Sequence, residues 1–313
     1  MLLRLRVGTD RTAGDLSDIL NRWLSNVWMN IINALHGEHQ LLDDFISDSL
    51  GQIADGTPEA YIAMLQEHIA AEFPPIAPTQ LVVLEVHESL QEHMSPAFYL
   101  APAVDRFNDN VVYVNPASLD DNLFLFTVLA HESYPGHMYQ TVYFLQQSPH
   151  PVRTALSNSG YAEGWATYAE MKSYFFAESS VVIADLLWNL RLYDMLLVSC
   201  IDLGVNVLGW DKNDVSQLLE DYNVFDPEVT ESIFNRVAGV PLNSLLYSGG
   251  YIELIALMQD VESALGDNFD LVDFHRYFLD FGPAPYPIIR KHLNDRVTTD
   301  PETALVPVLI PAS

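Results

Sequence analysis

The chain has 313 residues, 49% hydrophobic and 11% aromatic, enough for one large globular domain or two modest ones. Asp and Glu number 42 against 14 Lys and Arg, a formal charge of −28, which argues against a nucleic-acid or anionic-membrane surface built on basic side chains. The single cysteine, Cys200, excludes an internal disulfide, and no apolar run reaches the roughly 18 residues of a membrane span.

Met1-Leu2-Leu3-Arg4-Leu5-Arg6 holds too short an apolar stretch for a signal peptide. The expectation is a soluble, acidic protein, cytoplasmic unless a preceding segment carries an export signal. From Thr12 to His36, apolar residues recur at three- and four-residue steps (Leu16, Leu20, Trp23, Val27, Ile31, Leu35) and predict a long amphipathic helix. A second helix is expected over about Leu41 to Ile53. A third starts with Thr57 as N-cap and Pro58 at its first position and runs to Glu72. The prolines of Phe73-Pro74-Pro75-Ile76-Ala77-Pro78 end it.

Short β-type runs follow at Leu81–Val86, Ala97–Leu100 and Val111–Val114, predicting a small sheet of about three strands. Ser118 and Asp121 resemble a capping box that opens an apolar helix. Further helices are expected near 119–147, 156–178, 181–208, 213–222, 230–238, 243–265, 270–281 and 286–293. The fold class is therefore mainly α with one small sheet. Residues 1–72 form an N-terminal helical segment packing on the core, 73–297 the main domain, and 298–313 a proline-broken tail.

The chemistry concentrates in His131-Glu132-Ser133-Tyr134-Pro135-Gly136-His137. A His-Glu pair on an apolar helix, followed by a second His, is how zinc hydrolases place two imidazoles and a general base around one ion. The usual spacing is four residues. Six residues of unbroken helix turn through about 240° and rise about 9 Å, so His131 and His137 could not share an ion without a break. Pro135, which lacks an N–H, and Gly136, which tolerates unusual φ, supply the means to break the helix.

A carboxylate from another helix is the expected third ligand, and Glu163-Gly164-Trp165-Ala166-Thr167-Tyr168-Ala169-Glu170 offers two on one face. One can bind the ion while the other orients a ligand histidine, and Glu163 is favoured as the ligand. A second His-Glu-x4-His, His87 to His93, lacks the Pro-Gly pair and reads as a solvated loop or short helix. His36 and His39 read as a helix end and loop. His275 reads as a core-edge histidine or a second proton donor, Cys200 as a buried small hydrophobe. Among the few cations able to meet a substrate carboxylate are Arg191, Arg236, Arg290 and Lys291.

These paired motifs, with Tyr247-Ser248-Gly249-Gly250, Leu265-Gly266-Asp267-Asn268-Phe269-Asp270, Phe274-His275 and Phe281-Gly282-Pro283, resemble the bacterial family catalogued as domain of unknown function 885, from about Phe73 to Leu293. The resemblance implies a zincin-like, gluzincin-type helical metallopeptidase. It implies Zn2+ held by His131, His137 and Glu163, Glu132 as general base, and Tyr247 as a donor to the developing oxyanion. Glu170 and His275 are then candidates for the shell around the ligands. Family members are typically longer, with a further helical part ahead of the matched region, so the expectation is a C-terminal part or a shortened paralogue. Leu197 and Asn206 stand where the family pattern has an Arg and a His.

The expected function is hydrolysis of a peptide substrate through a zinc-activated water. The alternative is an inactive or truncated relative acting as a helical binding or assembly domain. Oligomeric state, cleavage position and substrate identity are not encoded in any motif.

Overall fold

The computed structural model describes residues 2–299 apart from 38, 48, 120 and 179, and no side chains at 39 or beyond 293. A short α1, Leu2–Arg6, precedes α2, Ala13–Gly37, which buries Leu16, Leu20, Leu24, Val27, Ile31 and Leu35 as its periodicity requires. Helix α3, His39–Ile46, stops earlier than the expected Ile53. The Ser47 hydroxyl donates to the carbonyls of Asp43 and Asp44, and the Ser49 amide closes back on Asp44, so local polar contacts replace the next turn. Helix α4, Pro58–Ile69, begins with the Thr57 cap, whose hydroxyl accepts from the Ala60 amide; it closes three residues short of Glu72, where the Phe73 amide returns to Ile69.

The three expected strands form one sheet of β1, Gln80–Glu85, β2, Ala97–Leu100, and β3, Asp109–Val114. Their order is β1-β3-β2. Strand β1 runs parallel to β3, with Val82 opposite Val111, and β2 runs antiparallel, with Tyr99 opposite Val112. One long edge of β2 is thus unpaired within the sheet.

Helix α5, Asn122–Glu132, is capped by Asp121, whose carboxylate accepts from the Phe124 amide. Ser118 is not its cap. It ends a separate 3₁₀ turn, Pro116–Ser118, capped by Asn115. The single helix expected over 119–147 is two, with α6 at His137–Gln146. There follow α7, Pro151–Thr154, α8, Ser159–Ala177, and α9, Val181–Leu203, which widens into a π turn at Gly204–Leu208. Then come α10, Lys212–Asp221, α11, Pro227–Gly239, α12, Ser244–Leu265, α13, Leu271–Phe281, and α14, Tyr286–Thr299. Helix α14 continues past the expected start of the tail at Thr298; the rest of that tail, from 300 on, lies outside the described residues.

The protein is mainly helical with one small sheet, and most of its buried apolar residues form one cluster from Val7 to Leu293. Helix α2 lies along α9, and α5 and α12 both pack on α8. The α8–α12 contact is backbone to backbone. A Cβ on Gly164 would strike the Gly250 carbonyl, and one on Gly250 would strike the Gly160 carbonyl oxygen.

Candidate metal centre

The break that the motif requires is present. Helix α5 ends as the Ser133 amide and hydroxyl both donate to the Leu129 carbonyl. The Tyr134–Pro135 peptide is cis. The Gly136 amide reaches back to Ala130, and the Tyr139 amide of α6 returns to Ser133. Gly136 is needed here for space and not for its φ, which is an ordinary −77°. A Cβ would overlap the carbonyl oxygen of His131. Trp165 of α8, fully buried, pins the break by donating its indole N–H to the Pro135 carbonyl at 2.8 Å.

The chain reverses there, and the rings of His131 and His137 meet with centroids 4.8 Å apart and planes at 86°. Glu163, one turn into α8, faces both. Its Oε2 lies 3.4 Å from His131 Nε2 and 3.3 Å from His137 Nε2. One ligand atom from each of His131, His137 and Glu163 falls within 4.8 Å of the others. Glu163 Oε2 is also buried without a hydrogen-bond partner, although two imidazole nitrogens are nearby. Such an orphaned anionic oxygen is costly unless a cation completes it.

The other ring nitrogen of His131 is fixed from the same helix. His131 Nδ1 lies 3.2 Å from Glu170 Oε2, and Arg191 of α9 donates through Nε to Glu170 Oε1 at 2.6 Å. Burial raises the Glu170 carboxyl, but the Arg191 guanidinium and His131 outweigh it and hold it down at about 2. Burial likewise opposes the charge of Glu163, and the two facing imidazoles hold its carboxyl well below the usual range. Arg191, a candidate from the sequence for meeting a substrate carboxylate, is instead the outer member of an Arg191–Glu170–His131 chain.

Glu132 sits at the last position of α5 and accepts from the Tyr99 amide at 2.8 Å, through Oε2. That N–H belongs to the unpaired edge of β2. Sequence reasoning missed this contact, and no signal could have found it, because a main-chain N–H is the same whatever the residue. Tyr247 of α12 lays its ring 6.0 Å from that of His131 at 27°. Burial, reinforced by Glu163, Glu132 and Glu170, pushes its phenol up, so it keeps its proton as a donor.

Other candidates lie elsewhere. His275 is buried in α13, its Nδ1–H donating to the Glu72 carbonyl at 2.7 Å and its Nε2 accepting from Tyr168 at 2.9 Å. Both ring nitrogens are engaged, and its neighbours are Phe73 and Trp165 rather than the two histidines at the break. The motif at 87–93 is an exposed 3₁₀ turn, Glu88–His93, with His87 capping it through Nδ1. His36 lies in the last turn of α2; the side chain of His39 is outside the described residues. Arg290 is paired with Glu253 and Asp260. Asn206 donates to Asp202 and to the Val237 carbonyl. No helix among the described residues is long and apolar enough to cross a membrane.

The sequence profile of the family described as bacterial protein of unknown function (DUF885) matches residues 47–293, starting nearer the N-terminus than the motifs alone indicate. No curated protein matches the chain. Among solved structures, one from Colwellia psychrerythraea, described as a candidate lipoprotein, is similar with a TM-score of 0.78 and 19% identity, over 95% of this chain and 54% of that one. Another, a candidate lipoprotein of unknown function from Shewanella oneidensis, is similar with a TM-score of 0.74 and 19% identity, over 93% of this chain and 58% of that one. The likeness is one of fold, and the chain spans a little over half the length of either structure.

Proposed function

The chain belongs to the bacterial DUF885 family, and on that footing we propose that it is a zinc-dependent peptidase of zincin-like architecture. One observation carries the reading: two imidazole nitrogens and a buried carboxylate oxygen without a hydrogen bond converge within 4.8 Å. In tetrahedral coordination with bonds of about 2.1 Å, ligand atoms stand roughly 3.4 Å apart. The Glu163 oxygen stands 3.4 and 3.3 Å from the two histidines. Two histidines and one glutamate are a donor set suited to zinc with a position left open for catalysis.

His131, His137 and Glu163 would hold the ion. When bound, zinc supplies a Lewis acid for the scissile carbonyl and acidifies the attacking water. Glu132 takes the proton of that water and returns it to the leaving amine, its carboxylate aimed by the Tyr99 N–H. Tyr247, protonated, donates to the oxyanion that develops on the substrate. Glu170, with Arg191 behind it, fixes the tautomer and angle of His131.

The alternative reading is a helical binding or assembly domain without catalysis. Metal analysis together with Glu132→Gln separates the two. The peptidase reading expects close to one equivalent of zinc in both proteins and a fall in peptide cleavage of about 10²–10⁴-fold in the variant. Absence of bound zinc leaves the binding-domain reading, and cleavage that survives Glu132→Gln removes Glu132 as the base.

A further inference from the structure

Beside the metal centre, α9, α10, α11 and α12 enclose a cavity of about 630 Å³, a volume typical of pockets that bury a small ligand. Tyr247 and Arg191 belong to both places. Tyr247 lines the cavity and stacks on His131, and Arg191 lines it and holds Glu170. A ligand in the cavity therefore lies next to the atoms that would react. Most of the wall is aliphatic, including Leu197, Leu219, Val224, Ile233 and Val237.

Four charged side chains line it: Asp202, Arg191, Asp194 and Arg236. Asp202 accepts from the Leu242 and Ser244 amides and the Ser244 hydroxyl, closing the turn ahead of α12. Arg191 is committed to Glu170. Asp194 follows Arg191 by three residues on α9, and burial raises its carboxyl by more than Arg191 lowers it, which favours its neutral form. Arg236 remains. It projects from the last turn of α11, is exposed, and has no carboxylate partner among the described residues. In a chain of charge −28 an unpaired guanidinium at the rim of an apolar cavity is conspicuous. The other cations that could meet a carboxylate are held by acids or stand elsewhere: Arg290 pairs with Glu253 and Asp260, and Lys291 does not line the cavity.

We propose that this cavity receives the C-terminal end of a peptide substrate, the Arg236 guanidinium taking the free carboxylate and the aliphatic wall taking an apolar last side chain. The proposal rests on the peptidase reading for the reaction but not for the binding. A guanidinium presents two parallel N–H donors to a carboxylate, which gives direction as well as charge. A C-terminal amide offers no charge to meet. The enzyme is then one that trims C-termini rather than one that cuts within chains, and an acidic last residue would be excluded by the aliphatic wall.

The test uses two ligands that differ in one group, N-acetyl-leucine and N-acetyl-leucine amide, titrated calorimetrically into the full chain and into Arg236→Gln, alongside cleavage of a short peptide ending in leucine, free or amidated. Expected is binding of the acid at least tenfold tighter than the amide, with the acid-to-amide ratio falling to about one in Arg236→Gln, and the same pattern in cleavage. Arg236 is exposed, so an unchanged thermal midpoint certifies that the variant is folded. Equal binding of acid and amide, no binding of the acid, or a preference that survives Arg236→Gln overturns the subsite. If both peptides are cleaved alike, the subsite fails while the peptidase reading stands. If neither is cleaved but the acid binds through Arg236, the subsite stands and the peptidase reading fails.

Discussion

Gly136 and His131 touch through their main chains: a Cβ at 136 would occupy the space of the His131 carbonyl oxygen. The turn that returns the second histidine to the first is thus closed at the backbone, and a side chain at 136 can enter only by displacing the carbonyl of His131.

Gly136→Ala is therefore expected to cost about 2–4 kcal/mol of stability through overpacking and to abolish tight metal binding. Thermal unfolding and metal analysis check this. A variant that melts like the parent and keeps its metal would mean that the break can relax without moving His131.

The two His-Glu-x4-His motifs offer an internal comparison. Because only the copy at 131 folds its histidines onto a common carboxylate, His137→Ala should remove tightly bound zinc and His93→Ala should leave it unchanged. Metal stoichiometry after dialysis decides, and equal losses from both would place the ion elsewhere.

Glu170 touches His131 without being among the three converging donors. Glu170→Gln should preserve a one-to-one metal stoichiometry while weakening affinity about 10–100-fold, as for other partners of ligand histidines. Arg191→Gln should do the same more weakly, and cost about 1–3 kcal/mol, because the half-exposed guanidinium leaves a buried carboxylate behind. Competition with a chelator measures the affinity, and complete loss of metal in Glu170→Gln would make Glu170 a ligand.

Burial lowers His275 to about 3 in the folded chain, although its bond to the Glu72 carbonyl pulls the other way. Unfolded, the same ring titrates near 6.5. Below that value the unfolded chain binds the extra proton, so this contribution to stability is complete above about pH 6.5 and is lost as the pH falls toward 3, by about 1.4 kcal/mol per unit. Denaturant unfolding between pH 6.5 and 4.5 should show a shallower pH dependence in His275→Gln than in the parent. Equal slopes would mean that the ring is already protonated in the folded protein.

What the sequence disclosed is tied to local rules. The Thr57-Pro58 start of α4 and the apolar stripe of α2 are one-dimensional signals, and both stand where expected. The Pro-Gly break was demanded by helix geometry, since six residues cannot bring two rings together on a straight helix. Its cause was half legible: Gly136 serves for closeness, which depends on a carbonyl of a neighbouring turn, and not for φ. The parallel pairing of β1 with β3 around an intervening β2, the grip of Tyr99 on Glu132, and the role of Arg191 all join residues at least 21 positions apart. Spacing has nothing to say about such contacts. The early stop of α3 lay in serine hydroxyls competing for helix carbonyls, a balance that hydrophobic periodicity does not weigh.

The glycine seam between α8 and α12 bears on how the site can move. Glu163 rides on one of these helices and Tyr247 on the other, and with no side-chain cushion at the seam the pair must travel as a single rigid slab. The far bank of the cavity, α10 and α11, carries Arg236 and has no such glycine seam; it is held to α9 and its π turn by packing and by the bond from Asn206 to the Val237 carbonyl. The side chains converging on His131 thus stand on the stiffer wall, and the lone guanidinium on the wall that side chains hold.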